Sequence, residues 1–467
     1  MIKMLKNNWV LFAVLAVFLS VKIFLLLTYD SVFLDEYEYL GMGRFIFSGG
    51  DEGSFSEMRP LFVPLIVGLS SWVDVDMVLF GWIVSLFFSV GVIVVSYVLA
   101  KKFFTKSAAV WTVMLLSAYP LFFGYSHRIL THMPAVFFAM LAVYLFSEKF
   151  YGWCGFVAAL AFMARFPHGI LFVPLALFVL FSSGSWKNIF KFLFGYIVPV
   201  MCFLIFNIFF YRNVTANFFD AMVRPFVIAN ESIMSHNLNL YAQPFYYYFV
   251  RLFLESWLFV LLLAFVFFYF KNKLYDSHSC DLFVTVALFY SVYFSWLAHK
   301  EFRYALDFLP FLVVFVAYSL DEILFFIKKR RKWIYYLLSF VVLVLVVFSS
   351  VRIGYGYLGV RDHAQSELCD FFMSYGENYS LFSTSSAVVP CTEMSFYGMY
   401  FDIEGSVGMF LNSSDYSLFL FSNSTFPCAD RACEDVKSSA LKRLSDNSDL
   451  IFETRSKYEY FAVFKKN

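Results

Sequence analysis

The chain has 467 residues, 61% of them hydrophobic and 15% charged, where a soluble globular chain has about 45–50% and about 25%. Aromatic residues make up 23% and mean hydropathy is +0.72, more apolar surface than cores of ordinary size can hide, which excludes an ordinary soluble enzyme. Lys+Arg 35 against Asp+Glu 34 leaves a net charge of +1, which excludes a nucleic-acid partner, since that requires a basic surplus.

Apolar runs long enough to cross a bilayer, about 17–25 residues, recur up to Ser350. They predict a polytopic α-helical membrane protein of about eleven spans: Trp9–Thr28, Val78–Ala100, Ala108–Gly124, Met133–Ser147, Trp153–Ala164, Ile170–Phe181, Phe192–Tyr211, Tyr246–Phe270, Leu282–Leu297, Tyr304–Ile327 and Trp333–Ser350. No small-residue cleavage site follows the first, so it is expected to be a retained helix. With every span real, Lys3 and Lys6, Lys101, Lys102 and Lys106, Lys149, Lys187 and Lys191, Lys271 and Lys273, and the run Lys328–Lys332 fall on one side. That side is expected to be cytoplasmic. The outer side then receives Asp30–Met77, Tyr125–Thr131, Arg212–Pro244, His299–Arg303 and everything after Ser350, with Asn-x-Ser/Thr triplets at Asn213, Asn230, Asn378, Asn412 and Asn423.

From Gly354 onward Ser, Asn, Asp, Glu and Gly become common, and the apolar patches Ser380–Phe382, Tyr416–Phe421 and Tyr460–Phe464 alternate with turn residues. This predicts strands of a small outer α/β domain at 354–467, following a membrane module at 1–353. Cys369, Cys391, Cys428 and Cys433 lie in this segment. A Cys428–Cys433 disulfide is expected there, with free thiols as the alternative.

The charged residues of the outer loops carry the chemistry. Asp35, Glu36 and Glu38 directly follow the first span, and acids at a membrane boundary are functional candidates by default. The apolar spacing of Tyr39–Phe47 predicts an interfacial helix in which Asp35 and Tyr39 share a face. A carboxylate here can serve as general base or bind a divalent metal such as Mg or Mn; the plainer reading is an acidic helix cap. Arg59, before Pro60, is expected to face the outer cavity or to snorkel. Arg128 and His132 are four apart, as on one helical face, and Arg165 sits at a junction between spans. The strongest cluster is His299, Lys300, Glu301 and Arg303, followed by Asp307. If helical, it places His299 with Arg303 and Arg303 with Asp307 on shared faces. Its plain reading is a self-neutralising ion-pair network; its functional reading is a phosphate site.

His299-Lys300-Glu301-Phe302-Arg303-Tyr304 resembles the HKExRF-type signature of lipid-linked-mannose mannosyltransferases in the GT-C superfamily of membrane glycosyltransferases. Arg303-Tyr304 with Pro310 also resembles the protein O-mannosyltransferase and aminoarabinose-transferase branch. Asp35-Glu36 is similar to the superfamily's first-loop acidic motif, Arg59-Pro60-Leu61 to the proline-containing element that follows it, and Ala164-Arg165-Phe166-Pro167 to an arginine-proline junction. The second outer loop departs from the pattern: His132 stands before Pro134 where many relatives carry an acid, so that a metal would be held by Asp35 and His132 nitrogen. The resemblance implies an inverting transfer of a sugar, mannose or another hexose, from a polyprenyl-phosphate donor to a protein, lipid or glycan acceptor on the extracytoplasmic or lumenal face. It implies Asp35 as the catalytic base that takes the acceptor proton, Glu36 as the carboxylate that orients it or helps hold a cation, Arg303, Lys300, His299, Arg165 and Arg128 at the donor phosphate, and Arg59, Tyr39 and Glu301 in the cavity. The alternatives from other classes are a polytopic transporter or glycolipid flippase, and a non-catalytic scaffold. Transporters commonly show internal repeats and midplane charges, and neither is evident in this sequence.

Overall fold

The computed structural model describes residues 8–28, 32, 34–53, 55–56, 59–73, 75–211, 217–234, 243–272, 274, 277–297, 299–357, 363–376, 379–388, 396–397, 403–423, 426, 428, 431–456 and 459–467. Cys391, Asn213 and Asn378 lie outside these, as does the side chain of Asn230. The chain divides into two compact units, Met1–Thr28 with Ile83–Leu358, and Tyr29–Trp82 with Gly359–Asn467. The first long loop thus clusters with the C-terminal segment, where chain order alone assigns it to the membrane module.

In the first unit, continuous apolar sequence gives helices because each bilayer-embedded backbone group must find its partner within its own segment. Trp9–Leu27, Met77–Phe103, Trp186–Tyr211, His278–Trp296 and Leu309–Arg330 are each long and apolar enough to cross. Shorter apolar helices, among them His132–Ser147 and Tyr151–Ala164, pack between them. The expected span Tyr304–Ile327 is α-helical only from Leu309, after a 3₁₀ turn over Phe302–Asp307, and two further expected spans are broken. Ala108–Gly124 divides at Tyr119, where Pro120 starts a new helix, and Tyr246–Phe270 divides at Ser256, which is extended and followed by a 3₁₀ turn over Trp257–Val260. Proline tolerates a first turn, where its missing N–H has no acceptor to lose.

Leu309–Arg330 is the core helix, buried on all sides from Leu309 to Leu320. Phe315 stacks on Phe265 with centroids 4.1 Å apart, and Tyr318 stacks on Phe104 at 4.6 Å. Helices Tyr151–Ala164 and Trp186–Tyr211 meet backbone to backbone. A Cβ on Gly155 would lie 2.1 Å from the Phe192 carbonyl oxygen, and one on Gly195 2.1 Å from that of Gly152. Such small-residue crossings are how membrane helices gain packing when lipid is as apolar as they are.

The second unit holds helix Leu34–Phe47, the short helix Phe62–Gly68, and a sheet of strands β1 (Leu381–Ser383), β2 (Phe396–Tyr397), β3 (Leu418–Ser422), β4 (Ser448–Arg455) and β5 (Tyr460–Lys466). Its order is β2-β1-β3-β5-β4, parallel across β2-β1-β3 and antiparallel across β3-β5-β4. Helices Ile403–Asn412 and Arg431–Asn447 close a core of Phe382, Phe410, Phe419, Phe421 and Leu444. The three apolar patches of the sequence are β1, β3 and β5. Cys428 and Cys433 form the expected disulfide, and Cys369 is disulfide-bonded as well. Lys466 ends β5 by donating to the carbonyls of Phe410, Leu411 and Ser413, capping the helix Ile403–Asn412.

Candidate active site

Helix Leu34–Phe47 starts five residues before the predicted interfacial helix, so Asp35 and Glu36 stand in its first turn, where negative charge complements the helix dipole. Asp35, Glu38 and Tyr39 share one face at i, i+3 and i+4. Gly49, Gly50 and Gly53, all at positive φ, turn the chain after the helix, and Arg59 returns to that face. Its Nη2 donates to Asp35 Oδ1 at 3.0 Å, its Nε donates to Glu38, and its guanidinium carbon lies 5.6 Å from the Tyr39 ring centroid. Burial works against the Arg59 charge, but Glu38 and Asp35 outweigh it and raise the pKa further. Arg59 therefore does not snorkel; it is the fixed counter-ion of two acids. Glu36 is fully buried. Glu38, named with the other two acids from the sequence but given no role there, is marked as the partner of Arg59 by its i+3 spacing from Asp35.

In the first unit two carboxylates organise the predicted cations. Segment 299–307 is not an α-helix: it is extended to Glu301 and turns as a 3₁₀ helix over Phe302–Asp307. The i, i+4 pairing of Arg303 with Asp307 is therefore absent. Arg303 Nη2 and His299 Nε2 instead donate to Glu301, at 2.8 and 2.9 Å, and Tyr304 Oη donates to it at 3.3 Å. Burial alone would raise the Glu301 pKa, but the Arg303 charge and the two nitrogen donors hold it well below the usual carboxylate range.

Asp307 turns to different partners. Fully buried, it accepts from Arg165 Nε at 3.0 Å, from His132 Nδ1 at 3.0 Å and from His168 Nε2 at 3.1 Å. Tyr290 Oη donates to His168 Nδ1 at 3.0 Å, which fixes the neutral tautomer of that ring. Burial raises the Asp307 pKa, and the Arg165 charge with the His132 and His168 hydrogen bonds reverses this and depresses it strongly. Arg165 ends helix Tyr151–Ala164 in extended conformation, and its guanidinium carbon lies 4.8 Å from the Tyr304 ring centroid. Tyr304 thus joins the Asp307 group to the Glu301 group.

The remaining candidates fall as follows. Helix His132–Ser147 begins at His132, and Arg128 belongs to the preceding turn, so the two share no helical face. Lys300, largely buried, donates to the Gln243 carbonyl at 2.7 Å, with no carboxylate at ion-pair distance among the described residues. Burial lowers its pKa. His132 bonds Asp307 through Nδ1, Asp35 bonds Arg59 through one oxygen, and the described residues contain no group of three or more His, Cys, Asp or Glu placed to hold an ion.

The sequence profile of the Alg9-like mannosyltransferase family matches residues 58–363 of this chain. Among solved structures, ArnT from Cupriavidus metallidurans bound to undecaprenyl phosphate is similar at TM-score 0.65 and 13% identity, covering 98% of each chain. An Archaeoglobus fulgidus oligosaccharyltransferase tethered to an acceptor peptide is similar at TM-score 0.56 and 13% identity, covering 98% of this chain and 74% of that one. No curated protein matches by sequence. At such identity the two structures establish the shared GT-C fold, and the family match sets aside the transporter, flippase and scaffold alternatives.

Proposed function

Because the chain belongs to the Alg9-like mannosyltransferase family, and is thus a multi-pass membrane glycosyltransferase, we propose that it transfers a hexose from a polyprenyl-phosphate donor whose phosphate is held by Lys300 and Arg303. The observation that carries this is the charge balance of the HKExRF-like segment. Glu301 neutralises Arg303 and Asp307 neutralises Arg165, while Lys300 is buried against a backbone carbonyl. A buried ammonium with no acid beside it among the described residues is stabilised by an anionic ligand. A phosphate leaving group supplies one, and its charge develops as the sugar departs.

In this reading Asp35 removes the proton from the acceptor hydroxyl as the oxygen attacks the anomeric carbon. The bond from that carbon to the phosphate oxygen breaks, inverting the centre and releasing lipid phosphate. Arg59 orients the Asp35 carboxylate; Arg165 and His299 act by fixing Tyr304 and Glu301. The disulfides of the second unit and the lysine clusters at Lys101–Lys102 and Lys328–Lys332 support an extracytoplasmic or lumenal reaction.

The test is transfer of radiolabelled mannose from polyprenyl-phosphate mannose by the full-length protein in nanodiscs, offered lipid, glycan and peptide acceptors. Lys300→Met should abolish turnover and donor binding together. Unchanged donor binding in that variant, or use of a sugar nucleotide in place of the lipid donor, would refute the assignment.

A further inference from the structure

Lys22 lies six residues from the end of the first membrane helix, Trp9–Thr28, and is fully buried. Its Nζ donates to His127 Nδ1 at 3.2 Å and sits 3.9 Å from the Phe123 ring centroid. No carboxylate reaches it among the described residues, and its neighbourhood carries a second cation in the buried Arg128. A lysine buried at membrane depth needs a counter-charge, and neither an imidazole nor an aromatic ring provides a full one.

Beside it runs a groove of about 620 Å³, lined by Val17, Phe18, Val21 and Leu25 of the same helix, by Ala118 and Phe123, and by the helix Lys332–Tyr357 through Val347. The lining is apolar apart from Ser117. Phe123 belongs to both features: it lines the groove, and its ring carries the Lys22 ammonium. An apolar groove that shares Phe123 with an ammonium lacking a carboxylate among the described residues is complementary to an amphiphile with a long hydrocarbon chain and an anionic head.

We propose that the groove and the Lys22–His127 pair form a second lipid-phosphate site, separate from Lys300, in which a polyprenyl chain lies along the groove and its phosphate monoester meets Lys22. The proposal rests on the reading of this enzyme as one that works on lipid phosphates. Phe123, shared by groove and ammonium, marks where the chain and the phosphate would meet.

The experiment is native mass spectrometry of the full-length protein in neutral phosphatidylcholine nanodiscs, titrated with undecaprenyl phosphate, undecaprenol or phosphatidylglycerol. Wild type should bind two equivalents of undecaprenyl phosphate. Lys22→Met should weaken one of them by about tenfold or more, the loss of a charge-assisted contact, and Lys22→Arg should retain it. Val17→Trp and Val21→Trp, at lipid-exposed positions, should remove the same equivalent by filling the groove. Undecaprenol should bind weakly and without response to Lys22→Met. A single equivalent that Lys22→Met and both tryptophan variants leave intact would overturn the proposal. So would equal competition by phosphatidylglycerol, which would make the groove a general lipid cleft. Lys300→Met separates the two readings: it should remove the other equivalent, and its failure to do so counts against the donor assignment alone.

Discussion

Replacing Asp307 by asparagine tests the centre of the charged network with the least change of shape. Oδ1 accepts from His132 and His168, and Oδ2 from Arg165. An asparagine can keep its oxygen on the two imidazoles, but its amide nitrogen then points N–H at the Arg165 Nε–H. The histidine contacts survive and the arginine contact becomes repulsive. Asp307 is wholly buried and Arg165 only 15% exposed, so solvent does little to compensate the stranded guanidinium. Breaking one partner of such a pair costs about 3–5 kcal/mol. Unfolding of the full-length protein in nanodiscs should show a loss of this size, with turnover falling alongside as Arg165 leaves Tyr304. The discriminating variant is the double change Asp307→Asn with Arg165→Met. Removing the stranded charge should restore more than about 1 kcal/mol of the loss, a coupling that distant sites do not show. An Asp307→Asn protein as stable as wild type, or a double variant weaker than either single one, would refute the account of Asp307 as the neutralising partner of Arg165.

Asp35→Asn should reduce transfer by about 10²–10⁴-fold while polyprenyl-phosphate binding stays at the wild-type level; retained activity in Asp35→Asn with loss in Glu36→Gln would move the base to Glu36. Lys466→Met should destabilise the second unit by about 1 kcal/mol, through the uncapped carbonyls of helix Ile403–Asn412, and hydrogen exchange at that helix reads this directly. The depressed pKa of Glu301 fixes a pH dependence. Its contribution is complete above the unfolded value of about 4.3 and is lost only as pH falls toward the lower folded value. Stability curves of wild type and Glu301→Gln should therefore run parallel from about pH 8 to pH 5 and converge below about pH 4. Convergence near neutrality would contradict the Glu301–Arg303 pairing.

Local signals in the sequence carried as far as local interactions reach. Hydrophobic runs, prolines and the turn of composition near Gly354 located helices and strands, because each is decided within a few residues. The acids and cations of the site were also visible, since charge at a membrane boundary is rare enough to stand out. Their partners were not. The i, i+4 arithmetic at 299–307 assumed an α-helix, and an extended strand leading into a 3₁₀ turn cancels it. Asp307 meets His132 across 175 residues and Arg165 across 142, distances over which spacing says nothing. Lys22 escaped notice for the opposite reason: one lysine among twenty residues leaves a hydropathy window almost unchanged.

Those long separations set an order of events during biosynthesis. Arg165 enters the membrane 142 residues before the acid that neutralises it. At about 5–20 residues per second, that leaves the arginine without its carboxylate for roughly 7–28 seconds. His132 and His168 wait for the same late-arriving residue. The nascent chain must therefore keep the end of helix Tyr151–Ala164 in contact with water or the insertion machinery until Asp307 is made. A chain cut between His168 and Asp307 carries the Arg165 charge and both imidazoles without the carboxylate that holds them in the folded protein.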